Sequence, residues 1–228
     1  MKSEGNKMKI LFLGDSITDM SRNRETEYFY NSYGFAYPIF VEAELATKHP
    51  GQYQVLNKGI SGNRVVDLYS RIKVDCWNHT PDVVSIFIGV NDVWHGLFEG
   101  IGNGVDIERY EKVYRMIIED TKKRFPKARF VLCEPFVVEG SSTCATEEMP
   151  DRYERFCEVY KYASVVKKLS EEYGLYFLPL QKKFDEATAR LGVEYYAPDG
   201  VHPNIGGSSL VATEWVSLFR EKIEKEMV

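Results

Sequence analysis

Short apolar runs alternate with longer amphipathic stretches along the whole chain. The runs at residues 9–13, 53–57, 82–88, 128–133 and 175–178 read as strands, and the most β-branched of them, DVVSIFI, is closed by Gly89. Between them lie helical patterns. Residues 37–47 carry Pro38 in a first turn, where its missing N–H costs nothing. Residues 65–74 and 107–125 follow; in the second, Tyr110, Val113, Ile117 and Thr121 recur at helical spacing and Pro126 stops the pattern. Residues 153–173 read as one long helix with Gly174 as its C-cap, and residues 207–225 as the last, with Val211, Trp215, Leu218 and Phe219 on one face.

Strands that alternate with helices imply a parallel sheet covered on both faces, and right-handed crossovers leave few ways to connect it. The expected fold is α/β: a flavodoxin-like three-layer α/β/α sandwich on a five-stranded parallel sheet, built as one domain over residues 1–228. Ligands of such sheets bind beyond the carboxyl ends of the strands. Those ends are therefore where candidate chemistry is sought.

Composition narrows the partners. The chain has 44% hydrophobic and 28% charged residues and a net charge of -5, an ordinary globular balance without a basic patch for nucleic acid or an anionic membrane. The N-terminal seven residues are polar, and no following stretch has the length of a signal sequence or a membrane span, so a cytoplasmic protein is expected. The cysteines, Cys76, Cys133, Cys144 and Cys157, form no C-x-x-C pair and read as reduced thiols. The four histidines are scattered, so neither a metal nor another cofactor is expected.

Four segments carry reactive groups. Gly14-Asp15-Ser16 follows the first strand; Ser16 can project a nucleophilic hydroxyl, or simply cap a helix. Gly59-Ile60-Ser61-Gly62 follows the second strand, a tight turn able to aim a backbone N–H at a ligand, or an ordinary loop. Gly89-Val90-Asn91-Asp92 follows the third, where the Asn91 amide can donate into the same crevice or close an Asx-turn. Near the C-terminus, Asp199 and His202 stand three apart in a turn, close enough for the carboxylate to fix the imidazole tautomer. Each segment alone has an unremarkable reading. Together they supply a nucleophile, a base with its orienting acid, and donors for an oxyanion, the parts that acyl transfer requires.

GDSITD, NKGISGN, IGVNDVW and DGVHPN also resemble, in order, the four signature blocks of the SGNH (GDSL-type) hydrolases. The resemblance implies a serine esterase with Ser16, Asp199 and His202 as the triad and an oxyanion hole from Ser16, Gly62 and Asn91. The extended strings GDSITD, VLNKGISGN and IGVNDVW, with the Pro-Phe after Glu134, are most similar to the bacterial intracellular acetylxylan esterases, which implies small acetyl esters on xylo-oligosaccharides as substrates. An aromatic residue precedes the corresponding aspartate in that group, whereas Pro198 stands here. Self-association into a homo-oligomer is a further implication of the resemblance.

Trp94 is a candidate wall of the substrate pocket, as well as a plausible core or interface residue; Tyr28, Phe29, Tyr30, Tyr195 and Tyr196 are further candidate lining residues. Asp15 and Asp92 are expected to be structural. The alternatives are a lysophospholipase or thioesterase sharing the same blocks, a metal-dependent phosphoryl-transfer site around Asp15 and Asp19, which lacks further ligands in the sequence, and a non-catalytic module binding a small ligand at the strand ends.

Overall fold

The computed structural model describes residues 7–97 and 102–227; the polar N-terminal segment read in the sequence lies almost wholly outside them. The strands are β1 (Met8–Gly14), β2 (Tyr53–Gly59), β3 (Val83–Phe87), β4 (Arg129–Cys133) and β5 (Tyr176–Leu178). They form one sheet in the order β2-β1-β3-β4-β5, with every adjacent pair parallel. This is the expected flavodoxin-like arrangement. The helices are α1 (Ser16–Asp19), α2 (Tyr37–Lys48), α3 (Val65–Asp75), α4 (Val90–Trp94), α5 (Ile107–Arg124), α6 (Arg152–Phe156), α7 (Val159–Tyr173), α8 (Gln181–Leu191), α9 (Val193–Tyr196), α10 (Ile205–Leu218) and α11 (Glu224–Met227). No helix is long and apolar enough to cross a membrane among the described residues.

Helices α2 and α10 pack together as one layer, and α3, α5 and α7 as the other. β3 is buried along its whole length because it has a neighbour on each side and helices on both faces. Its one polar residue, Ser85, is paid no solvent exposure at all, and its Oγ accepts a hydrogen bond of 3.0 Å from Trp215 Nε1 of α10. On the same side Phe12 packs against Tyr37 and Trp215, with ring centroids 5.3 and 5.0 Å apart.

Two helical readings differ in detail. The stretch read as a single helix over 153–173 breaks into α6 and α7 at Cys157-Glu158, where Glu158 N–H turns back to Arg155 C=O and Tyr160 N–H to Cys157 C=O. The break turns Phe156 fully into the core, where it meets Trp94 edge-on at 5.2 Å. Gly174 does cap α7, in the left-handed conformation. The last helix starts at Ile205, two residues earlier than its apolar pattern, because the Asn204 side chain accepts from the N–H groups of Gly206 and Gly207. It widens into a π-turn over Phe219–Ile223 before α11. Helix α8, as long as α3 and amphipathic with Phe184 and Ala187 on its buried face, is absent from the sequence reading, and the helices α1, α4 and α9 are too short to show a period.

Candidate active site

The carboxyl ends of β1, β2 and β3 open into the loops that carry the sequence candidates. Asp15 caps α1: its Oδ1 accepts from Ile17 N–H at 2.9 Å, which leaves Ser16 as the first residue of the helix with its side chain partly exposed. The Ser16 N–H precedes the first intrahelical bond and has no carbonyl partner in the helix. Burial pushes the Asp15 carboxyl up to about 7, so its neutral and ionised forms are both populated near neutral pH.

The structure brings Ser16, His202 and Asp199 into line. Ser16 Oγ lies 2.7 Å from His202 Nε2, and His202 Nδ1 lies 2.5 Å from Asp199 Oδ2. The other carboxylate oxygen accepts from the backbone N–H groups of Val201 (2.9 Å) and His202 (2.7 Å), so the turn itself aims the carboxylate. That network assigns the ring proton to Nδ1 and leaves Nε2 to accept from the serine hydroxyl. Burial opposes the Asp199 charge, but the hydrogen bonds from the His202 ring and from the two backbone groups outweigh it and hold the carboxyl below its ordinary range. The hydrogen bond to Asp199 raises the His202 imidazole above its ordinary value, against the opposing effect of burial.

Gly62 sits at φ +79°, a left-handed conformation that side chains rarely adopt, and a Cβ there would face open space. The turn around it is held on one side by Asp19 Oδ2, which accepts from Ser61 N–H at 2.8 Å. On the other side the Asn63 carbonyl accepts from Asn91 Nδ2 at 3.1 Å. That bond uses one amide hydrogen of Asn91 and leaves the second available. Asp92, beside it, is buried and accepts from Val65 N–H at 3.0 Å, tying the start of α3 to the loop after β3; burial pushes its carboxyl well up.

The loop after β4 is a support that the motifs do not reveal. The N–H groups of Val138, Ser141 and Ser142 each donate at 3.0 Å to the carbonyls of Gly200, Pro198 and Asp199 respectively. Gly200, at φ +91°, packs so closely on Thr143 Oγ1 and the Val138 carbonyl that no Cβ fits. The run Gly140-Ser141-Ser142-Thr143 is the one sequence signal for this close approach.

Trp94 lies beside the site, its ring 6.1 Å from that of His202. Tyr28, Phe29, Tyr30 and Tyr195 are exposed, while Tyr196 is buried in the core. Among the described residues, no three His, Cys, Asp or Glu side chains converge as a metal-ligand set, so the phosphoryl-transfer alternative around Asp15 and Asp19 gains no support. A cavity of about 670 Å³ lies elsewhere, between α2 and α10, and includes neither Ser16 nor His202.

A serine, an imidazole and a carboxylate in line at the strand ends of a parallel α/β sheet belong to a carboxylic ester hydrolase. Residues 12–210 match the GDSL-like lipase/acylhydrolase family, and the chain is a member of it. It is 36% identical to an acetylxylan esterase of Geobacillus stearothermophilus over 91% of this chain and 92% of that one. The crystal structure of that organism's Axe2, an acetylxylan esterase, superposes with a TM-score of 0.79 at 35% identity, covering 95% of both chains. A Parabacteroides merdae protein proposed to be a GDSL-like lipase superposes with a TM-score of 0.83 at 36% identity, over 95% of this chain and 97% of that one. Similar structures also include catalytic mutants of Axe2 in which a serine, an aspartate or a histidine is replaced by alanine.

Proposed function

We propose that this esterase removes small acyl groups, acetyl above all, from carbohydrates such as xylo-oligosaccharides through an acyl-enzyme on Ser16. The observation that carries the reading is the continuous contact from Ser16 Oγ through His202 to Asp199. His202 Nε2 takes the hydroxyl proton as Ser16 Oγ bonds to the ester carbonyl carbon. The N–H groups of Ser16 and Gly62 and the free amide hydrogen of Asn91 bind the oxyanion. When the carbonyl re-forms, the sugar alkoxide leaves with the proton from His202. Water repeats the sequence on the acyl-enzyme and releases acetate. Asp199 orients the ring and stabilises its charged form throughout.

The substrate side rests on the similarity to the Geobacillus acetylxylan esterase, one structure of which is described as an acetyl-xylooligosaccharide esterase. The Trp94 ring beside His202 suits the face of a sugar or the flank of a short acyl group. Four thiols without a disulfide suit the reducing cytoplasm as the place of action.

The test is acetate release from acetylated xylo-oligosaccharides, set against acetylated sialic acid and a lysophospholipid, together with the ratio of p-nitrophenyl acetate to octanoate hydrolysis. The proposal expects the xylo-oligosaccharide and the acetate ester to be strongly preferred; preference for the octanoate or the lysophospholipid overturns it. The oxyanion assignment has its own consequence: Asn91→Ala is expected to lower kcat about 100- to 1,000-fold with little change in KM. Steady-state kinetics on p-nitrophenyl acetate measure it, and a kcat within a few-fold of the parent removes Asn91 from the oxyanion site.

A further inference from the structure

Arg71, on the sheet-facing side of α3, belongs to none of the four sequence blocks. Its side chain is 14% exposed and makes four hydrogen bonds. Nη2 donates to the Gly14 carbonyl at 3.0 Å, at the end of β1 and two residues before Ser16. Nη1 donates to the Lys58 carbonyl near the end of β2 and to Asp75 Oδ2, both at 2.7 Å. Nε donates to Asn63 Oδ1 at 2.7 Å, in the residue after Gly62. The backbone carbonyl of that same Asn63 receives the Asn91 amide. One planar group therefore touches the chain two residues before Ser16 and immediately after Gly62, and it reaches Asn91 through the Asn63 turn.

Physics explains why a guanidinium stands here. The β1–β2 ladder runs to Gly14 and Gly59, and the buried carbonyls at its end have lone pairs for further donors. A guanidinium offers five N–H groups in a rigid fork, so it can satisfy several carbonyls at once and fix their separation. Asp75, four residues along the same helix, balances the charge. Arg22 makes a lesser contact of the same kind, donating from Nε to the Gly59 carbonyl alone.

We propose that Arg71 is the positioning residue of the oxyanion site, holding the ends of β1 and β2 and the Asn63 turn so that the Ser16, Gly62 and Asn91 donors meet at one point. The inference rests on the assignment of those three donors proposed above. Arg71 touches no substrate; it acts through the backbone it clamps. A lysine keeps the charge but not the fork, and it cannot span the three carbonyl-bearing segments.

The experiment compares Arg71→Lys, Arg71→Ala and Asn63→Ala with the parent and with Ser16→Ala, using p-nitrophenyl acetate kinetics and thermal unfolding. Displacing preorganised donors by a fraction of an ångström lowers kcat by about 30- to 300-fold in both Arg71 variants with KM within about twofold. Methylguanidinium restores about tenfold of the Arg71→Ala loss, a rescue that general destabilisation does not produce. Should the Arg71 variants fail to fold, Asn63→Ala, which cuts a single arm, carries the test with an expected loss of about five- to tenfold in kcat. Wild-type kcat in the folded variants, or a loss confined to KM, overturns the inference. If Ser16→Ala is inactive while the Arg71 and Asn63 variants are normal, only the inference falls. If Ser16→Ala is active, the site assignment itself falls.

Discussion

Ser16→Ala is expected to lose at least about 10⁴-fold in kcat, because acyl transfer through the enzyme has no other oxygen to attack with. The fold should survive. Ser16 is partly exposed, its side chain makes one hydrogen bond to His202, and the cap of α1 belongs to Asp15. Losing one such bond costs on the order of 1 kcal/mol, a shift of a few degrees in thermal midpoint. A fluorophosphonate probe followed by mass spectrometry should mark the parent at Ser16 alone and leave the variant unmarked. An alanine variant that retains more than a small fraction of esterase activity, or a label on another residue, removes Ser16 as the nucleophile. The non-catalytic alternative, a module binding a ligand at the strand ends, predicts no label in either protein.

The second large effect is expected at Asp199→Asn, with a loss of about 10⁴-fold in kcat. The asparagine amide can accept from the backbone of Val201 and His202 as the carboxylate does, so the turn should hold. What it cannot do is stabilise a positive ring or enforce the Nδ1–H tautomer. The pH dependence follows with a definite sign. His202 works as a base only when neutral, so activity falls as the pH drops through its pKa. The bond to Asp199 is the largest influence raising that pKa, and the Asp15 carboxylate acts in the same direction when ionised. The acidic limb of kcat/KM in the parent should therefore lie above the ordinary histidine value. In Asp199→Asn it should move to lower pH, even as the plateau collapses. A profile from pH 5 to 9 measures both. An acidic limb that stays in place after the substitution means that a group other than His202 titrates there, which would leave the triad assignment without its base.

Much of the fold is visible in the chain before any coordinates. Residues 10–13 and 83–88 are apolar apart from Ser85 because β1 and β3, like β4, have a strand on each side and helices above and below. The helix at Ile107–Arg124 was legible because one face of it, Tyr110, Tyr114, Ile117, Ile118 and Thr121, is buried and most of the rest is charged. The four motif segments were legible as chemistry because serine, histidine, aspartate and asparagine at strand ends are rare in combination. The break between α6 and α7 was not, since Cys157 and Glu158 are acceptable helix residues and the turn is imposed by Phe156 seeking the core.

By itself, then, the chain determined the five strands and most of the longer helices, the parallel α/β class, and the four groups that could do acyl transfer, because burial and side-chain chemistry are written in residue type and period. Only the tertiary structure decided how those groups are held. The clamp of Arg71 on the carbonyls of Gly14 and Lys58, and the donation from Val138, Ser141 and Ser142 to the turn of Pro198, Asp199 and Gly200, are bonds to the main chain. Every residue carries the same carbonyl, so such bonds leave no mark in residue type and exist only once distant segments have been brought together.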